Sequence, residues 1–86
     1  MKKKDYSIFY NDTFKILLII KESEIDLEDG KYSLLTLNDI GNKLSLTRQT
    51  IAKHIKILEE NGYIENIKKK RFKITDAGYL AIKKMR

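Results

Sequence analysis

Thr47, Arg48, Gln49, Thr50, Lys53 and Lys56 carry hydrogen-bonding and cationic side chains within ten positions, a set suited to contacting a nucleic-acid duplex. Arg or Lys can bond O6 and N7 of guanine, Gln can bond N6 and N7 of adenine, and a Thr methyl can touch that of thymine. Thr47 and Lys56 suit phosphates, as does the positive end of a helix dipole. Residues 47–64, which carry this set, contain every signal of one helix. Thr47 is a good N-cap, and Ile51, Ile55 and Leu58 recur at i, i+4 and i+7. Gln49, Lys53, Lys56 and Glu60 then point away from that apolar stripe, and Asn61-Gly62 supplies the stop. The expected helix 48–61 has one buried face and one outer face fit for the major groove. A solvated helix face uses the same residue types, so the assignment leans on what flanks it.

Directly behind this helix comes a hairpin over residues 63–75, read as Tyr63 to Ile67, a tip of Lys68, Lys69, Lys70 and Arg71, and a return strand with Phe72, Lys73 and Ile74. Four consecutive cations repel one another and call for water or a counter-charge. A phosphate backbone would supply that charge and release counterions. Arg71 is the candidate for a narrow minor groove. His54 lies beside the buried stripe, where a partly buried histidine or a phosphate contact is expected rather than catalysis. Tyr6, Phe9, Tyr10 and Phe14 cluster near the start, far from the cations in sequence, so packing is expected of them rather than base stacking.

Charge distribution supports the same reading. The net charge is +6, but residues 1–46 hold 7 Lys/Arg against 8 Asp/Glu, while residues 47–86 hold 11 against 4. A basic half joined to a neutral half implies a polyanion on one face. The absence of cysteine excludes thiolate metal sites, disulfides and cysteine nucleophiles. One histidine builds neither a His-based metal site nor a triad, and no phosphate-cradling Gly-rich box occurs. No enzyme activity, cofactor or metal is therefore expected. No apolar run approaches the ~20 residues of a membrane span, and a cytoplasmic location is expected.

Eighty-six residues imply one domain over 1–86, with a short N-terminal arm of about 1–10. The first helix should start at Asn11 or Asp12 and run to about Ser23; its apolar residues span more than one stripe, which implies cover on two sides. Residues 24–33 read as a loop or short hairpin around Asp29-Gly30, and Ser33-Leu34-Leu35 as a short strand. Thr36 is an N-cap with Asp39 three residues on, a variant of the capping box. Helix two over Leu37 to Leu44, the turn Ser45-Leu46 and helix three make a helix-turn-helix. A last helix from about Ala77 to Met85 should turn Ala77, Leu80, Ala81 and Ile82 inward. Gly41 and Gly78, inside helical patterns, should permit close packing. The fold class is mainly α with a small β-wing (α+β), in the order helix, strand, helix, helix, strand, strand, helix.

Residues 36–64, from Thr36-Leu-Asn-Asp-Ile through Thr47-Arg-Gln-Thr-Ile-Ala-Lys-His-Ile-Lys-Ile-Leu-Glu-Glu-Asn-Gly-Tyr-Ile64, resemble the winged helix-turn-helix of prokaryotic transcription regulators, with MarR-like and ArsR-like types nearest. Ile74-Thr-Asp-Ala-Gly78 is similar to the segment leading from the wing into the next helix in those families. The resemblance implies a homodimer on double-stranded DNA, with Thr47, Arg48, Gln49, Thr50, Lys53 and Lys56 on the DNA-facing helix and Lys68 to Arg71 in the wing. Ala52 stands where serine is common, which removes one polar contact. The lack of cysteine argues against ArsR-type metal sensing, and the short chain against a MarR-type ligand pocket. The leading expectation is a sequence-specific regulator, a repressor acting by operator occupancy. The alternatives are a winged-helix protein-interaction module and a non-specific architectural or replication-related DNA binder.

Overall fold

The computed structural model describes residues 12–67 and 71–85, and capping, periodicity and turn chemistry divide these described residues into eight short elements. They are α1 (Asp12–Glu22), β1 (Glu24–Leu27), β2 (Gly30–Ser33), α2 (Leu37–Leu44), α3 (Arg48–Glu60), β3 (Ile64–Ile67), β4 (Arg71–Ile74) and α4 (Asp76–Met85). The architecture is the expected winged helix-turn-helix, mainly helical with a β-wing, but the order of elements needs one correction. Two strands precede α2, not one. The stretch 24–33 is a full hairpin, and the strand sought at Ser33–Leu35 lies earlier, at Gly30–Ser33. The cause is the alternation Glu24, Ile25, Asp26, Leu27 with a tight turn at Glu28-Asp29, a period-two pattern that its acids disguise.

The four strands form one antiparallel sheet in the order β1-β2-β4-β3. Ser33 lies opposite Phe72, and Ile64, Glu65, Asn66 and Ile67 lie opposite Ile74, Lys73, Phe72 and Arg71. Ser33, Phe72, Ile74 and Ile64 are buried, so this face of the sheet looks into the core. Tyr32, Arg71 and Lys73 alternate with them and belong to the outer face.

The core unites Ile16, Leu17 and Ile20 of α1 with Ile40, Ile51, Ile55 and Leu58 of the helix-turn-helix, the inner sheet residues, and Ala81 and Ile82 of α4. The broad apolar surface of α1 is explained by its position, since α1 touches α2, α3, α4 and β4. Ser23 closes α1 by donating to the Ile20 carbonyl at 2.9 Å and shares a hydrogen bond of 2.6 Å with the buried Ser33. In α4 the inward stripe is rotated from the expected one: Gly78, Ala81 and Ile82 face in, whereas Ala77 and Leu80 are exposed. The backbone of Tyr63 and the side chain of Ile74 crowd Gly78, and this approach sets the rotation.

Local chemistry fixes the helix ends. Thr36 and Asp39 form a reciprocal capping box, with N–H to Oδ2 at 2.9 Å and N–H to Oγ1 at 3.1 Å. Hydrogen bonding from the Thr36 backbone N–H first, and then from its side chain, holds the Asp39 carboxyl below its ordinary value. Gly62, at φ +77°, ends α3 in a Schellman motif: its N–H reaches the Glu59 carbonyl, and the Tyr63 N–H reaches that of Leu58. Thr75 then ties the two ends of the wing together. Its N–H donates to the Tyr63 carbonyl at 3.0 Å and its hydroxyl to the Gly62 carbonyl at 2.6 Å.

Candidate nucleic-acid interface

The turn between α2 and α3 is three residues long and tight. Ser45 adopts the left-handed conformation at φ 57°, ψ 42°, and the Leu46 N–H reaches back to the Gly41 carbonyl at 2.9 Å. A Cβ on Gly41 would stand 2.6 Å from the Leu46 carbonyl oxygen, so only glycine lets the turn close this far. Thr47 caps α3: its Oγ1 accepts from the Thr50 N–H at 3.2 Å and donates to Thr50 Oγ1 at 2.9 Å. The Thr47 proton is thereby used, while the Thr50 hydroxyl keeps its own to donate outward.

Burial of Ile51, Ile55 and Leu58 sets the rotation of α3. Arg48, Gln49, Lys53 and Lys56 are exposed, as is Thr47, and Thr50 is half-exposed. The structure therefore leaves all six sequence-selected residues accessible on α3 and its cap, with Gln49, Lys53 and Lys56 opposite the buried stripe and Thr47, Arg48 and Thr50 at the N-terminal end. None of Arg48, Lys53 and Lys56 forms an ion pair with a described residue. His54 shares a 2.6 Å hydrogen bond with Thr13, which joins α3 to α1, in keeping with a partly buried structural histidine.

Beside α3 lies an open groove of about 1090 Å³ between the helix, the segment 34–38 and the wing strands. Leu34, Leu35, Ile55 and Phe72 give it an apolar floor, and Arg48 and Arg71 are among its other lining residues. Leu34 is 49% exposed here. Nothing in the sequence marked this groove, because its walls come from three separate segments.

The wing residues Lys68, Lys69 and Lys70 lie outside the described residues. Arg71 is described, and it is engaged. Its guanidinium lies over the ring of Tyr32, 5.2 Å from the centroid, and 4.0 Å from Asp29 Oδ1. Lys73 Nζ lies 5.1 Å from the same centroid. The phenol of Tyr32 is held above its ordinary value, first by burial and then by hydrogen bonding to Asp29. Sequence reasoning missed Asp29 and Tyr32. The Asp29-Gly30 turn signal was visible, but the pairing of β2 with β4 that brings it to the wing was not.

Among the described residues no group of three or more His, Cys, Asp or Glu could hold a metal ion, and no helix is long and apolar enough to cross a membrane.

The short α2, the tight turn, the exposed face of α3 and the hairpin behind it define a winged helix-turn-helix. Residues 13–80 match the family of HTH domains, so the chain belongs to that helix-turn-helix family. The family match does not extend to the MarR-like or ArsR-like types. A search of curated proteins returns no match. Among solved structures the chain is similar to the reduced (Fe(II)) CO-sensing protein from R. rubrum, with a TM-score of 0.70 and 19% identity. The alignment covers 88% of this chain and 38% of that protein, so the chain spans well under half the length of its structural neighbour. At this identity the likeness is one of fold.

Proposed function

We propose that this chain is a sequence-specific double-stranded DNA-binding transcription regulator, working as a homodimeric repressor and catalysing no reaction. The observation that carries the reading is the outer face of α3, where exposed Gln49, Lys53 and Lys56 lie opposite the buried stripe, with exposed Arg48 and half-exposed Thr50 flanking them at the helix N-terminus. Membership of the helix-turn-helix family supports it, since the second helix of a DNA-binding helix-turn-helix enters the major groove. In this reading Arg48, Gln49, Thr50 and Lys53 meet base edges, and Thr47 and Lys56 meet phosphates. Lys68 to Arg71 lie along the flanking backbone. Selection of bound sequences from random duplex DNA tests it. A palindrome with half-sites about one helical turn apart is the expected result. Salt-sensitive binding without enrichment would replace the regulator by an architectural DNA binder, and no binding would sink both.

A second reading is favoured by one observation. The groove beside α3 has an apolar floor with a half-exposed Leu34, which suits a protein surface better than a phosphate strand. A winged-helix protein-interaction module would use it. Loss of DNA binding in Gln49→Ala/Lys53→Ala with the fold intact would favour the first reading.

A further inference from the structure

The hairpin β1–β2 lies beside the wing and reaches it through one cluster. Ser33 is opposite Phe72, so in this antiparallel pair the Gly30 end of β2 runs beside the Ile74 end of β4, away from the wing tip. Arg71 stands at the tip end. To come within 4.0 Å of Asp29 in the β1–β2 turn, its side chain folds back along the outer face of the sheet. It crosses Tyr32 on the way, and Lys73 lies on the same ring. Tyr32 is only 6% exposed although it belongs to the outward face, as it should be under two cationic side chains.

From this geometry we propose that Asp29 and Tyr32 are positioning residues that hold Arg71 withdrawn from the wing tip, and that a DNA phosphate exchanges for Asp29 when the duplex binds. This rests on the DNA-binding reading above. The exchange is chemically even-handed: a carboxylate oxygen and a phosphate oxygen offer the same acceptor to the same guanidinium. Both partners of the pair are substantially solvent-exposed, at 40% and 67% of side-chain surface, so the contact is held weakly enough to be given up. Counterion release from the duplex favours the phosphate. Asp29 thus sets the affinity and salt dependence of the wing contact without touching DNA.

The test uses the full chain and a fluorescein-labelled, mixed-sequence duplex at several salt concentrations. Asp29→Asn keeps the shape of the turn and removes the charge. It should tighten binding about two- to fivefold, the range an exposed pair supports. In an Arg71→Ala background the same change should have only the smaller effect of Asp26→Asn, a control acid on β1. Equal tightening by Asp29→Asn in both backgrounds, with the wild type binding normally, would overturn this inference and leave the DNA-binding reading intact. No binding by the wild type would overturn both. The Arg71 Nε–Hε signal gives a direct readout. It should be shifted upfield by the Tyr32 ring in the free protein, lose that shift in Tyr32→Leu, and lose it in the wild type on saturation with duplex. A signal that stays over the ring in the complex refutes the exchange.

Discussion

Side chains on the outer face of α3 make few contacts within the chain, and this gives their substitutions a clean signature. Gln49 and Lys53 are exposed, so replacing both with Ala should leave thermal stability within about 0.5 kcal/mol. On the proposed function the same double variant should lose roughly 1–3 kcal/mol of discrimination between the selected site and a random duplex. Unchanged discrimination would remove these two residues from the reading surface. Tyr79 makes the opposite case, a residue that matters inside the molecule. Its hydroxyl donates to Glu24 Oε2, joining α4 to β1. Burial first, then that bond and the charge of Glu24, push its phenol up to about 12 from an ordinary 10.0. The folded state therefore keeps a proton that the unfolded chain releases. The stability this contributes is whole below pH 10 and is lost as pH rises from about 10 to about 12. Urea unfolding across that range should show a steep alkaline decline in the wild type. Tyr79→Phe should flatten the decline and cost about 1 kcal/mol at neutral pH.

At the scale of elements, the helix-turn-helix depends on how closely its turn closes. Ala is the better helix former by about 1 kcal/mol, so Gly41→Ala would stabilise an isolated α2. Here the added Cβ would meet the Leu46 carbonyl, and overpacking of that kind costs roughly 1–3 kcal/mol. Gly41→Ala should lower the unfolding midpoint, and a rise would show that the turn relaxes freely. How far each element could be read from sequence depends on where its determinants lie. Helix α3 was legible because its cap, its stripe of Ile51, Ile55 and Leu58, and its stop at Gly62 are all local. The same holds for the Thr36–Asp39 capping box. The β1–β2 hairpin was half legible: Asp29-Gly30 announced a turn, but four residues alternating with acids are too few to mark a strand. The facing of α4 was not legible, because Ala77 and Ala81 look alike until Gly78 meets Tyr63 and Ile74. The posture of Arg71 and the groove at Leu34 depend on pairing between distant segments, which no local pattern encodes.

Over the whole molecule, the excess positive charge belongs to the half that carries α3 and the wing, and the proposed function gives that asymmetry a measurable form. Replacing Lys69 and Arg71 together by Ala should weaken binding to all duplexes about equally. It should also reduce the slope of log K against log salt by roughly one unit for each lost phosphate contact. Lost discrimination with an unchanged slope would assign these residues to base reading instead. The bonds from Thr75 to Gly62 and Tyr63 have a further consequence at this scale. They pin both feet of the wing to the end of α3, so on the proposed function helix and wing would work as the two jaws of a caliper with a set opening. On that reading the gauge would not adjust to the duplex, and the duplex would have to adjust to it. Sites with flexible pyrimidine–purine steps between the segments gripped by the jaws should bind more tightly than stiff A-tract versions with the same contacted bases. Competition between two such duplexes would show the preference, and equal affinity would mean that the jaws give.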